Sequence, residues 1–505
     1  MQATTPNQVP GTPARSCGHE FTWTDQHPRI QDIRRLLYTY DTLGSEAMAK
    51  IDAISPLPSH SGPPDPSSAH NSSSSSSKCP FSTRDPYAIL EKGAHSDPVL
   101  HRLWNEVNTP PDWVDWDQIS RGQRVVYRYH GQMMLGLLFN SLLGGMGGWR
   151  VCETLDKTGG FGPQVTRRRL LETAQHFLEV VRDVDSVKPG GAGFVSSVRV
   201  RLLHATVRRR ILQLQGESSE SSGSSSSRDG KGLYYDVEAC GVPINHLHQM
   251  ATIDAYSTSL VFLSLPRQGV RLSPREAADF LALWRWVGYV MGTPVDCMAT
   301  TLGAKMSFES ILVSEVRPSD KSRVLANNIL TSQANAPPLF ASRGFLAAVT
   351  YRLIGEDMAV DLAIDAPSAA ERVLAWAQSR LSWIDSAVYP WLPDVLRERR
   401  DRRFIQNSYH FIMDKASGGM GRPTKFPFKY RPAHGKSTGM ASYTVPGSVI
   451  LRSMDPARFV LGVSICLVVL VGLLGWSVQA VLPWEEVVVH HRVPRFAVPS
   501  EQVFY

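Results

Sequence analysis

The sequence predicts an all-α fold, and three observations predict it. Apolar residues recur at helical spacing from about residue 85 to residue 400. In "TRRRLLETAQHFLEVVRDV", for example, Leu170, Leu171, Ala174, Phe177, Leu178 and Val181 share one face. Runs of strict apolar/polar alternation, the mark of half-buried strands, are scarce. Helix boundaries carry boundary residues: "SPREAADFLALWRWVGYVMG" opens on a capping serine, Ser273, with Pro274 in the first turn.

The elements follow in order. The N-terminal "MQATTPNQVPGTPARSCGHE" has no apolar core and is not a secretory signal. Next, "RIQDIRRLLYTYDTLGSEAMAKI" places Ile30, Ile33, Leu36 and Leu37 at helical spacing, a short helix that docks back on the main domain. Residues 55–85, rich in Ser and Pro, read as a flexible linker, so 1–84 is expected to be largely disordered apart from that helix. Residues 85–400 form the helical domain. Within it, "SRGQRVVYRYHGQMMLGLLFNSLLGG" opens at an N-cap serine, Ser120, and stops at paired glycines. A Ser-rich run at 216–232 reads as a disordered insertion, residues 401–458 as a linker and 482–505 as a short tail.

Between those last two lies "FVLGVSICLVVLVGLLGWSVQAV", residues 459–481. It is uncharged and long enough to cross a hydrocarbon layer of about 30 Å as a transmembrane helix. Its composition is too uniform for a one-sided core helix, and Trp476 and Trp484 stand near its far end as interfacial aromatics do. Lys425, Lys429, Arg431, Lys436, Arg452 and Arg458 precede it, whereas Glu485 and Glu486 follow, with only Arg492 and Arg495 beyond. The positive-inside rule puts the helical domain in the cytosol, tethered by its C-terminus, most simply to the endoplasmic reticulum.

Composition excludes other classes. A net charge of +7 spread over 505 residues, with no basic block interleaved with aromatics, sets nucleic acid aside. Cys17, Cys79, Cys152, Cys240, Cys297 and Cys466 show no CxxC spacing, which argues against a zinc site and fits a reducing compartment.

Two stretches carry candidate chemistry, "RRRLLET" and "RVRLLHATVRRRI". On the second, His204, Val207, Arg208 and Ile211 share a face, and Arg201 lies one turn before the histidine. A neutral imidazole on a rigid helix is the common proximal ligand of haem iron, and arginines a turn away suit the propionates. A lone histidine among leucines is more often a hydrogen-bonded core residue, and on the residues alone that reading leads. "GVPINHLHQMATID" offers His246, His248 and Asp254, but a metal site needs three or four converging ligands. Glu172 and His176 are four apart without the repeated Glu-x-x-His of a di-iron bundle. Trp284 and Trp286, with Arg285 between them, read as core aromatics. "GGMGG" and "TGGFG" follow no strand, which argues against phosphate binding.

Taken in order, "RRRLLET", "VRLLHATVRRR", "GVPINHLHQMATIDAYSTSLV" and "LWRWVGYVMG" resemble the family of the rubber oxygenase (latex-clearing protein) and the endoplasmic-reticulum-bound oxygenase of mycophenolic acid biosynthesis. The likeness runs over roughly residues 85–400. It implies a b-type haem in a globin-like helical core, with His204 as the proximal iron ligand and Arg201 and Arg208 flanking it. By the same likeness Arg169 and Thr173 stand on the facing helix, and Glu153 in "RVCETLDKTGG" takes the place of the catalytic base. One position departs: where the rubber oxygenase has a lysine able to cap its iron, this chain has Glu172.

The resulting expectation is a membrane-tethered, haem b-dependent oxygenase. Its partners are the membrane, O₂ and a hydrophobic, isoprenoid-like substrate whose C=C bond it cleaves to carbonyl products. The competing expectations are a non-enzymatic tail-anchored helical protein and a haem-based sensor or peroxidase.

Overall fold

A computed structural model describes residues 8–56, 84–221, 234–337, 340–416 and 418–426 of the chain. The described residues up to Pro390, with those from Phe404 onward, belong to one compact unit; Trp391–Arg403 belong to a second.

The chain opens with an antiparallel hairpin, β1 (Pro13–Ser16) and β2 (His19–Thr22), in which Ala14 faces Phe21. Helix α1 (Ile30–Arg35) and α2 (Thr42–Ile54) follow. Asp41 caps α2 by accepting the Gly44 backbone N–H at 3.0 Å. Ile33, Leu37, Ala47, Met48 and Ile51 are all buried. The N-terminal segment is therefore more ordered than the sequence suggests. The short docking helix expected there is present as α1, and the hairpin and the separate α2 come in addition to it.

Helices α3 (Pro86–Gly93) and α4 (Pro98–Asn108) start alike, each with a capping aspartate, Asp85 or Asp97, ahead of a first-turn proline. The single helix predicted from Ser120 is instead α5 (Trp116–Arg128), capped by Asp115, then α6 (His130–Leu135) and a π-helical stretch over Gly136–Leu143. The Asp115 carboxylate accepts two backbone N–H groups, and the break falls at Tyr129, whose φ and ψ of −111° and 24° leave the helical region.

Four helices then lead to the candidate site: α7 (Trp149–Thr158), α8 (Thr166–Val181), α9 (Val184–Val187) and α10 (Ala192–Ser221). Helix α10 runs into the Ser-rich stretch expected to be disordered from residue 216; residues 222–232 of that stretch lie outside the described residues. Beyond come α11 (Val237–Cys240), α12 (His246–Tyr256), α13 (Leu265–Arg267) and α14 (Pro274–Val290). In α14, Ser273 and Glu276 form a reciprocal capping box. The chain continues through α15 (Thr301–Glu315), α16 (Asp320–Gln333), α17 (Arg343–Ile354), α18 (Glu356–Asp361) and α19 (Ala369–Val388). Helix α20 (Asp394–Met413) occupies the start of the predicted 401–458 linker, a further correction.

Two apolar clusters hold the unit together. One gathers Phe177, Phe280, Trp284 and Trp286, and the other Leu325, Ile329, Leu346 and Ile354. Trp286 donates its indole N–H to the Val187 carbonyl at 2.8 Å, so this core aromatic is satisfied as well as packed. Helices α8 and α10 touch at Gly193, where a Cβ would stand 2.8 Å from the Glu179 carbonyl oxygen. The candidate span at 459–481 lies outside the described residues. Among the described residues, no helix is long and apolar enough to cross a membrane.

Candidate functional site

The site is built where α8 faces α10. His204, on α10, encloses its Nδ1, which meets no hydrogen-bond partner among the described residues. The residue as a whole keeps partial access. Burial, then the charges of Arg208 and Arg169, push its pKa down to about 3. The ring is therefore neutral at ordinary pH and offers a lone pair. A second buried imidazole, His176 on α8, pairs Nδ1 with Ser196 Oγ at 2.9 Å, and burial holds its pKa at about 4.

Arg169 approaches from α8. It donates to Glu172 Oε2 at 3.3 Å, and Glu172, itself buried, also pairs with Arg168 at 3.3 Å. A Cβ on Gly160 would come within 3.2 Å of Arg169 Nε. The "TGGFG" turn thus packs against this arginine, a role that its glycine count alone does not reveal. Thr173, one turn on from Arg169, is partly buried. Tyr256 of α12 joins the group: its ring stacks on Trp284 at 4.8 Å, it feels the charge of Arg169, and burial raises its phenol to about 12. The sequence offered only its place within "MATIDAYSTSLV" as a signal.

The two flanking arginines have other partners than the propionates expected for them. Arg201 is 2% exposed and grips Asp41 with a two-pronged contact, Nε to Oδ2 and Nη2 to Oδ1, both 2.8 Å. Its Nη1 reaches Glu106 at 2.7 Å. Gly292, at φ 71°, lets the backbone pass this pair; a Cβ there would sit 2.7 Å from Arg201 Nε. Arg208 donates Nε to the Pro243 carbonyl at 3.1 Å, Nη2 to that of Ile244 at 2.8 Å and Nη1 to Ser45 Oγ at 2.6 Å. It also lies 4.7 Å over the Tyr40 ring. The correction has a plain cause. A guanidinium on a buried helix face must be matched within the protein, and the cap of α2 and the carbonyls ahead of α12 supply the match. Both arginines clamp the helix that carries His204.

Glu153 has a separate setting on α7. It forms an ion pair with Lys321 of α16, which also holds Asp156 at 3.2 Å. His246, His248 and Asp254 turn to different partners: His246 to Thr39, His248 to Asn245, and Asp254 to Thr258. Among the described residues, no group of three or more His, Cys, Asp or Glu side chains is arranged to hold a metal ion.

Fold and site together define the class, a helical domain whose polar groups converge between two long helices. Residues 127–383, just over half of the chain, match the family model of the ER-bound oxygenase mpaB/B'/rubber oxygenase catalytic domain. The chain belongs to that family and is an oxygenase, as the order of its four motifs indicates. Its fold is similar to the solved structure of latex clearing protein LCP in the closed state. The TM-score is 0.52 at 17% identity, covering 74% of this chain and 91% of that one. No curated protein sequence matches. Helices α8, α10, α12 and α14 all lie inside the matched span.

Proposed function

We propose that this chain is a membrane-tethered, haem b-dependent oxygenase that cleaves a C=C bond of a hydrophobic, isoprenoid-like substrate with O₂. The observation that carries the reading is the neutral His204 imidazole, its Nδ1 enclosed without a partner, opposite Arg169. A neutral imidazole on a rigid helix can give a lone pair to iron, and His204 would hold a haem in this way. When bound, the haem supplies the dioxygen chemistry.

The protein's residues supply the rest. Arg201 and Arg208 act as positioning residues: by tying α10 to α2, they hold the imidazole in one orientation. Arg169 and Thr173 furnish donors from the facing helix, with Glu172 orienting Arg169. Glu172 also removes the option of an ammonium ligand, because an acid stands where the rubber oxygenase has its lysine. Glu153 is assigned as the base that takes an allylic proton from the substrate, and its ion pair with Lys321 must open for it to do so. The apolar run at 459–481 tethers the domain to a membrane, most simply the endoplasmic reticulum with the domain in the cytosol, where an apolar substrate concentrates.

The test is the absorption spectrum of the full chain supplied with haem, beside the His204→Ala variant. A Soret band present in the parent and lost in the folded variant supports the ligand; a parent without a band overturns the haem reading. Consumption of a prenylated alkene in air but not under argon then separates an oxygenase from a sensor.

A further inference from the structure

Helix α19 is built inside out. The residues it buries are small or polar: Ala375, Ser379 and Ser386. Val373, Trp376, Trp383, Ile384 and Val388 point outward, each between 44% and 63% exposed. At 100° per residue these five fall within an arc of about 140°, and the three buried residues lie on the other side. One arginine stands just beyond this arc and one within it: Arg372 stacks 5.1 Å over Tyr351 and pairs with Glu356 at 3.5 Å, and Arg380 lies 5.6 Å from the Trp376 ring centroid.

Left in water, such a face forfeits the stabilisation that burial would provide. It is a single convex helix of 20 residues, about 30 Å long, and not a groove fitted to another helix. Aliphatic residues and tryptophans with an arginine among them and another beside them are the composition of a helix lying in a lipid headgroup layer. There the indoles sit at the boundary and the guanidinium groups meet phosphate.

We propose that the outward face of α19 rests in the phospholipid interface and orients the domain on the membrane. The proposal takes as given that 459–481 spans that membrane. Residues 427–458, before that segment, reach up to about 110 Å at full extension, so the anchor keeps the domain near the bilayer without fixing which side faces it. A second contact is needed for orientation, and α19 supplies it.

The test places the photocrosslinking residue p-benzoyl-phenylalanine at Trp383 in the full chain, in vesicles of phosphatidylcholine and phosphatidylserine. Val373 serves as a second position on the face, Trp476 reports on the anchor, and Tyr38, exposed elsewhere, sets the background. Several-fold more lipid adduct at 383 and 373 than at 38 is the expected result. Adducts at 383 to a second copy or to residues 459–481, or no adduct there above background, overturn the α19 proposal. An adduct at 476 in those cases leaves the anchor standing. Lipid adducts at 383 and 373 without one at 476 support α19 and overturn the anchor.

Discussion

Helices α10 and α19 belong to the same unit and break the same rule in opposite directions. Helix α10 buries two arginines and encloses a histidine ring nitrogen, while α19 turns two tryptophans and three aliphatic side chains outward. What separates them is the partner each has. Asp41, Glu106, Ser45 and two backbone carbonyls meet the charges of α10, so their burial is compensated. No described element covers the outward face of α19 to that degree. Polarity alone therefore does not say which side of a helix is inside.

The sharpest way to break the comparison is to remove a partner on α10. Arg201→Met leaves Asp41 buried and unpaired, and unfolding in urea should show a loss of about 3–5 kcal/mol. Adding Asp41→Asn, which keeps a capping side chain on α2, should recover most of that loss.

Acid should act next. His176 and His248 are buried neutral, with pKa values pushed down by burial to about 4 and about 3. Glu315 lies 3.9 Å from His248 but does not offset this, because Arg150 already holds that carboxylate at 3.1 Å. Both folded values lie below the unfolded value of about 6.5, so the unfolded chain binds more protons between them. Stability is then complete above pH 6.5 and falls as the pH drops toward 4, by about 2 kcal/mol for each histidine at pH 5. Denaturation midpoints across that range check it, and His176→Gln should flatten the slope by its share.

His204→Ala comes third. Stability should change by no more than about 1 kcal/mol, since the lost ring carries an unpaired nitrogen whose burial is itself costly. The Soret band of the haem-supplied protein should vanish in the same variant. The smallest effect belongs to α19: Trp383→Gln should shift the unfolding free energy by less than about 0.5 kcal/mol while weakening vesicle contact. A shift of several kcal/mol there would mean that the face is packed in the folded protein and would erase the contrast.

Much of the helical framework was legible in the chain. The apolar stripe of α8, the Ser273 cap of α14 and the order of the four motifs each depend on residues a few positions apart. The site was legible in part: the motif likeness led to His204 and Arg169, which the fold brings within electrostatic reach of one another. Tyr256 went unnoticed because a tyrosine among small residues carries no periodic signal. The partner of Arg201 was hidden for another reason: Asp41 lies 160 positions earlier, and no local pattern ties two residues so far apart. Asp115 displaced Ser120 as a cap because only the folded backbone shows which carboxylate reaches the free N–H groups.

By itself, then, the sequence determined that the domain is helical, where α14 begins and which family motifs the helices carry, because those properties arise from contacts within one or two turns. Tertiary structure alone decided that Arg201 and Arg208 clamp a helix and that α19 shows its apolar side, because burial and ion pairing depend on what arrives from distant parts of the chain.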